Sequence, residues 1–469
     1  MFYVENVYVW FVVEAFILNL IYMRKLLFFL SVVVAFTSCT SDYSENCENS
    51  NDETVLSEYN PNRRSFSEAV EIAQNSIKIL QGNTNVSRGS EPARTLNFDS
   101  GVKAICQTVS RSTSSTSNND TLLYIFNFND EQGFAVVSAS RQTEGLIAVT
   151  ESGSYDPAVS TGNPGFEMYM NTAKAYVEYK DKTSVTKDGT MQSRSDNRMY
   201  KPVYDTVYYQ KIEPKVSVRW GQEGITGQFF SNKIAGCGNI AMAQIISYFK
   251  YPSTLTLTFP ERDVNYTTLD WTAICKHIYT NFDANRDDAD KQIGTLTRQL
   301  SVLSKSQYYD NATGTDITES RKCMQSLGYN VGSITNYNQI LADNGATDPD
   351  VGYPLAYALA NGELIYMRGG NSDGEGHVWV VDGCFYVKAL HRMMCTYDGT
   401  NWFVAQELGT ERTCHNHINW GWDGAQNGYF ESSILNAYNA FQKDPEYYFL
   451  ANGQNADFYD NAKYFCVWH

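Results

Sequence analysis

The sequence predicts an α+β protein built from two folded units, and three observations carry that expectation. Apolar residues recur at helical spacing in two stretches, Phe66, Ala69, Val70, Ala73, Ile77 and Leu80 in one and Ile240, Met242, Ala243, Ile245, Ile246 and Phe249 in the other. Residues 122–128 and 133–138 read as strands around the polar turn Asn129-Asp-Glu-Gln132, and Leu146-Ile-Ala-Val-Thr150 as a third. Between the units, residues 180–197 are polar and charged with no apolar periodicity, the composition of a linker open to proteolysis. At 469 residues the chain is too long for one ordinary domain, and 43% hydrophobic against 19% charged residues supply large cores. A formal net charge of −16 argues against nucleic acid as a partner. The 33 tyrosines suit a secreted or surface protein.

Taken in order, residues 1–22 are apolar but interrupted by Glu14 and Asn19, which is poor for a membrane span. From Met23 the chain has the layout of an export signal: Arg24-Lys25, an apolar run, then small residues before Cys39. Phe36-Thr-Ser-Cys39 resembles a bacterial lipobox, so residues 1–38 are expected to be an over-extended start plus a lipoprotein signal, with Cys39 lipidated. The alternative is a real membrane anchor within 1–38. Residues 39–60 are acidic and polar and read as a disordered tether. Residues 61–180 form the first unit: a helix capped by Ser65, the strands above, and a helix opening at Asn163-Pro164. Residues 181–200 are the expected linker, and 201–469 the larger unit.

Ten cysteines without a CxxC pair indicate neither a zinc ribbon nor a disulfide scaffold. Cys414-His415-Asn416-His417 fits no common structural zinc spacing, so neither metal nor cofactor is expected. Cys237 sits where a buried helix begins, behind Gly236, and free N–H groups and the helix dipole there favour thiolate. The plain alternative is an inert core cysteine.

A base for such a thiol must come from six histidines. His277 reads as a surface residue, His391 as part of a basic loop, and His469 is terminal. His377, in Asp373-Gly-Glu-Gly-His377, stands at the mouth of an apolar strand, with one ring nitrogen free to face a cleft. A turn histidine satisfied by backbone is its plain alternative. Asn419 can accept from a histidine nitrogen while Trp420 and Trp422 shield that bond, although Trp-Gly-Trp with Asn-Gly is also ordinary hairpin chemistry. Gln222 offers a side-chain donor for an oxyanion, with the Cys237 N–H as the second.

Taken together, Trp220-Gly-Gln222, Gly236-Cys237 with Ala241-Met-Ala-Gln244 and Tyr251-Pro252, Gly376-His377 with Asp382-Gly383, and Asn419-Trp-Gly-Trp422 with Gly428-Tyr-Phe430 resemble the streptopain family of papain-like cysteine peptidases. Asp270-Trp271 adds a weaker match. The resemblance implies a two-part catalytic domain, a helical part carrying the cysteine and an antiparallel sheet carrying the histidine. It implies Cys237 as nucleophile, His377 as general base and acid, Asn419 as its orienter, Gln222 as oxyanion donor, and Trp420 and Trp422 packed over the histidine. It further implies that 61–180 is an inhibitory propeptide, the chain's own intramolecular inhibitor, and that the substrates are proteins or peptides. The expected product is an exported endopeptidase, anchored by lipid to the outer or cytoplasmic membrane or to the surface, and released where maturation frees it.

Three features depart from the pattern. Gly238-Asn239-Ile240 follows the nucleophile where the family has small apolar residues and threonine, Cys384 replaces an aromatic, and 385–414 is long enough for an extra hairpin. The 440–469 stretch matches nothing in the pattern. Two competing readings use the same residues: a lipidated binding or inhibitor protein on an inactive scaffold, and acyl transfer between peptides. Mass spectrometry of the unprocessed and mature N-termini is expected to find no peptide from residues 1–22 and a lipid on Cys39; a peptide from 1–22 overturns the assigned start.

Overall fold

A computed structural model describes residues 63–81, 94–99, 101–106, 121–183, 199–255, 268–280, 287–337, 354–370, 376–436 and 460–469. The expected signal, Cys39 and the tether lie outside these residues, as does 184–198 of the expected linker. No helix among the described residues is long and apolar enough to cross a membrane.

Helix α1 (Phe66–Gln81) begins with a capping box. The Ser65 N–H donates to Glu68 Oε2 at 2.8 Å, and the Glu68 N–H donates back to Ser65 Oγ at 3.3 Å. Such a cap stabilises by about 1 kcal/mol. The helix buries Ala69, Ala73 and Ile77 on strands β1 (Val102–Cys106), β2 (Thr121–Asn127), β3 (Phe134–Ser138) and β4 (Leu146–Thr150). Helix α2 (Pro164–Thr183) opens with proline, whose missing N–H costs nothing in a first turn, and Asn163 Oδ1 accepts from the Phe166 N–H at 3.2 Å.

The larger unit starts with strand β5 (Met199–Ile212). Its helical part comprises α3 (Cys237–Phe249), the single turn α4 (Trp271–Ile274), α5 (Asp288–Leu303) and, beyond the hairpin β6 (Gln307–Tyr309) and β7 (Ala312–Gly314), α6 (Ile317–Ser326). Asp270 caps α4, its Oδ1 accepting from the N–H groups of Thr272 and Ala273, and Trp271 Nε1 donates to Pro252 O at 2.9 Å. The short strands β8 (Asn330–Val331) and β9 (Thr335–Asn336) and helix α7 (Pro354–Ala360) precede β10 (Leu364–Gly370), β11 (Gly376–Thr396), β12 (Phe403–Asn419), β13 (Gly428–Glu431) and β14 (Asp460–Trp468).

Among the described residues twelve strands make one large sheet, in the order β1-β2-β3-β4-β13-β12-β11-β10-β14-β8 with β5 beside β11 and β9 beside β14, and β6 and β7 make a separate two-stranded sheet. Strand β11 pairs with β10 along 376–381 and with β5 along 384–396. The stretch 385–414 is therefore a long antiparallel ribbon, and His391 lies in it opposite Gly409 rather than in a loop. The C-terminal stretch that matched no pattern supplies β14, an interior strand beside β10.

Alternation along the central strands sends residues to two cores. Leu364, Tyr366, Val378 and Val380 pack with the apolar sides of α3, α5 and α6. Ile365, Met367, Trp379 and Val381 pack on the opposite face with Phe166, Tyr169 and Val177 of α2 and with Trp420. Period-two patterning is what lets a strand serve both. The two units therefore share a core, and β4 joins β13 in register, Ala148 to Phe430, Val149 to Tyr429 and Thr150 to Gly428.

Candidate active site

Cys237 is the first residue of α3, and Gly236 before it turns the chain with φ +87°, a left-handed conformation that suits glycine. Asn239, one of the departures from the family pattern, anchors this helix start. It is fully buried, its Nδ2 donates to Ala235 O and Ser306 Oγ, each at 2.9 Å, and its Oδ1 accepts from Ser304 Oγ at 3.2 Å. The polar residue thus fixes the backbone that presents the thiol. The expectation of a thiolate is corrected in this state. Burial pushes the Cys237 thiol above its ordinary value, and N–H groups of Val378, Gly238 and Cys237 itself oppose that only in part.

His377 is the second residue of β11 and 2% exposed. Its Nε2 lies 2.8 Å from the backbone oxygen of Trp420. A carbonyl only accepts, so Nε2 carries the proton and the neutral ring keeps Nδ1 as its basic nitrogen. Trp420 and Trp422 flank the ring at 6.4 and 6.2 Å between centroids, the latter edge-on. Burial drives the imidazole down to about 4, against the Trp420 carbonyl, which raises it. Among the described residues His377 makes no hydrogen bond to Cys237.

Asn419 does not orient the histidine here. Its Nδ2 donates to Val218 O at 2.9 Å, and its Oδ1 accepts from Gln244 Nε2 at 3.1 Å and the Gly421 N–H at 3.2 Å. With its oxygen fully engaged, the amide fixes the turn from which the Trp420 carbonyl reaches His377. Gln244, two turns along α3, also donates to Trp220 O at 3.1 Å, so one buried amide ties the cysteine helix to the Trp220 and Asn419 segments. Gln222 is half-buried, its backbone oxygen accepts from the Ala235 N–H at 2.8 Å, and its side chain has no hydrogen-bond partner among the described residues.

Helix α2 of the first unit arrives at the same place. A Cβ on Gly165 would lie 2.4 Å from His377 Cδ2 and 2.7 Å from Trp420 Cε3, so only glycine fits against the ring. Asn163 Nδ2 donates to Ala425 O and Gln426 Oε1, pinning the helix start to the turn that follows Trp422.

Two family models match the chain: the Peptidase C10 family over residues 204–430 and the Spi protease inhibitor over residues 55–177. The chain belongs to the streptopain family of cysteine peptidases. Streptopain of Streptococcus pyogenes is 22% identical over 338 residues, which cover 67% of this chain and 74% of the relative. The serotype M1 streptopain is 22% identical over 335 residues. Among solved structures, a fragment of Prevotella intermedia prointerpain A aligns with a TM-score of 0.47 and 19% identity, covering 80% of this chain and 98% of that one. Active interpain A from the same organism aligns with a TM-score of 0.34 and 20% identity, over 55% and 94%.

This streptopain-family peptidase carries an inhibitor-type prodomain whose edge is held by ion pairs as well as by strand pairing. His417 on β12 sits between two carboxylates, Nδ1 2.6 Å from Asp382 Oδ1 and Nε2 3.3 Å from Glu151 Oε1. Glu151, directly after β4, also pairs with Arg219 at 2.7 Å. Burial alone would lower the His417 imidazole, but Asp382 and then Glu151 outweigh it and hold it at about 9. Burial would likewise raise Glu151, but His417, Arg219 and Arg94 bring it to about 2.

Several other described histidines and cysteines have structural places. In the Cys414–His417 stretch, His415 stacks on Phe385 at 4.4 Å with Nε2 2.7 Å from Leu146 O, and His417 faces carboxylates. Cys384 and Cys414 are buried in the core shared with the prodomain. His277 is more than a surface residue: its Nδ1 meets buried Asp290 at 2.9 Å, Asp287 lies 3.4 Å from Nε2, and its backbone oxygen accepts from Trp220 Nε1 at 2.6 Å. Residue types gave no hint of the Trp420 carbonyl, since main-chain groups leave no trace in composition. Gln244 was visible as part of a motif, without a role.

The His417 cluster sets a pH dependence. A histidine held above its ordinary 6.5 stabilises the fold fully below that value, and the contribution is lost as pH rises through about 9. Glu431, which burial and then the Glu144 charge hold at about 8, weakens the fold in the same direction from 4.5 upward. In a Cys237→Ala background, melting temperatures are expected to fall from neutral to alkaline pH. Glu151→Gln, which removes one of the two carboxylates on His417, should make the His417 part of that fall smaller and end it at lower pH. Superimposable curves would remove the pair from the pH dependence.

Proposed function

We propose that the protein is an exported, lipid-anchored endopeptidase made as a zymogen, with Cys237 as nucleophile, His377 as general base and acid, and Gln222 as oxyanion donor. The observation that carries this reading is the prodomain residue Gly165 packed on the edge of His377, with the ring turned to the Trp420 carbonyl. Histidine and cysteine are both held in their neutral forms by burial, which is a latent state rather than a working one. Once the linker is cut and α2 withdraws, water and substrate reach the ring. His377 Nδ1 then takes the Cys237 proton.

The thiolate attacks the peptide carbonyl, forming a C–S bond while the oxygen becomes an oxyanion held by the Gln222 amide and the Cys237 N–H. Protonated His377 passes its proton to the leaving nitrogen as the C–N bond breaks, leaving a thioester. Water, deprotonated by His377, attacks that thioester, and the C–S bond breaks to regenerate the thiol. Export and the lipid on Cys39 rest on the N-terminal sequence pattern alone.

Purified variants, matured in trans, test the assignment on casein. Cys237→Ala should be inactive and His377→Ala nearly so, whereas Gln222→Ala should lose about 10²–10³ in rate. Casein cleavage by Cys237→Ala at the wild-type rate would end the proposal.

A further inference from the structure

The loop that carries Gln222 is braced from an unexpected side. Residues 277–280 run along it: the Arg219 N–H donates to Ile278 O at 2.8 Å, Trp220 Nε1 to His277 O, and the Ile225 N–H to Thr280 O at 2.8 Å. At the end of this run Thr280 is fully buried. Its hydroxyl accepts from the Gly221 N–H at 2.9 Å and donates to Asp423 Oδ1 at 3.0 Å, while its own N–H reaches the same carboxylate oxygen at 2.8 Å.

Asp423 follows Trp422, the ring that meets His377 edge-on. It adopts φ +50°, a left-handed conformation that non-glycine residues avoid unless something holds them there. Its other carboxylate oxygen lies against Gly221 so closely that a Cβ on that glycine would stand 1.9 Å away. Gly221 therefore touches Asp423 directly and through Thr280, and the residue after it is Gln222.

We infer that Thr280 and Asp423 are positioning residues that lock the Gln222 loop to the tryptophan turn beside His377, setting the oxyanion donor at a fixed distance from the base. This rests on the reading of Gln222 as that donor. A donor amide must meet an oxygen within a few tenths of an ångström, and misplacement by about 1 Å costs on the order of 10²-fold in rate. A carboxylate receiving two hydrogen bonds from one fully buried residue supplies that rigidity. Neither residue touches the substrate in this account.

The test uses the full chain, matured in trans by tagged wild-type enzyme that is then removed. Thr280→Val and Asp423→Ala are expected to lower kcat by about 10–10²-fold with KM within about twofold, and Thr280→Ser to restore it. Alkylation of Cys237 by iodoacetamide needs the thiolate but no oxyanion, so its rate should stay at the wild-type value; this also reports that the variants are folded. In combination with Gln222→Ala, Thr280→Val should cost almost nothing further, because the donor it positions is gone. Losses that multiply, a slower alkylation, or a Thr280→Ser variant as poor as Thr280→Val would overturn the inference while leaving Gln222 intact. A Gln222→Ala variant of wild-type kcat would remove the oxyanion assignment and this inference with it.

Discussion

Strand β13 is four residues long and has a partner on each side, β12 of the peptidase and β4 of the prodomain. Much else depends on that pairing. A sheet edge left open invites any extended segment, and covering it from within the same chain satisfies its N–H and C=O groups while choosing the occupant. The register then sets the path of the chain beyond β4. With Val149 fixed against Tyr429, Glu151 lands between His417 and Arg219, and the connection onward carries Asn163 to the 425–426 turn. Helix α2 begins there, so its second residue, Gly165, meets His377. On the proposed reading, inhibition is a consequence of strand register, transmitted through about a dozen residues of chain to the ring.

The chemistry of latency arises from the same packing. A thiolate–imidazolium pair needs water or close mutual contact to offset the cost of removing two charges from solvent. In this state the two are not hydrogen-bonded among the described residues: Gly165 packs on the buried His377 ring, and partly buried Cys237 faces backbone N–H groups and the core of the helical half. Burial therefore moves the two groups in the directions that keep both uncharged, the thiol up and the imidazole down to about 4. The charged interactions are placed instead around His417, equally buried but with carboxylates on both ring nitrogens. One chain thus holds one histidine charged and another neutral by the company each keeps.

Much of the fold was legible in the sequence wherever one element carried a complete local signal. The Ser65 cap, the Asn163-Pro164 helix start and the two-strand run around residues 129–132 all rest on side chains whose chemistry acts within four residues, and each formed near its expected position. Strand β14 escaped because Asp460–Trp468 gains its place only by pairing with β10, far back in the chain. His277 looked like a surface residue because its partners, Asp287 and Asp290, are ten and more positions away. At the site, the clustering of His377 with Trp420 and Trp422 followed the motifs. The role expected of Asn419 did not, because side-chain identity cannot say which of two adjacent groups, an amide or the next residue's carbonyl, faces the ring.

That substitution of a carbonyl for an amide bears on how activation works. The Trp420 oxygen is aimed by bonds that belong wholly to the peptidase half: its N–H donates to Asn427 Oδ1 at 3.0 Å, its indole Nε1 to Gln426 O at 3.0 Å, and Asn419 beside it is held by Gln244 and Val218. None of these contacts involves the prodomain. Under the proposed activation, withdrawal of α2 releases Asn163 from the 425–426 turn but leaves these bonds to Trp420 and Asn419, so the acceptor for His377 Nε2 stays in place with Nδ1 still the basic nitrogen. What changes is the surroundings: the contact at Gly165 opens, hydration returns, and the penalty on both charged forms falls. The proposed catalytic groups then need a change of medium, while the bonds that aim the Trp420 carbonyl are already made within the peptidase half.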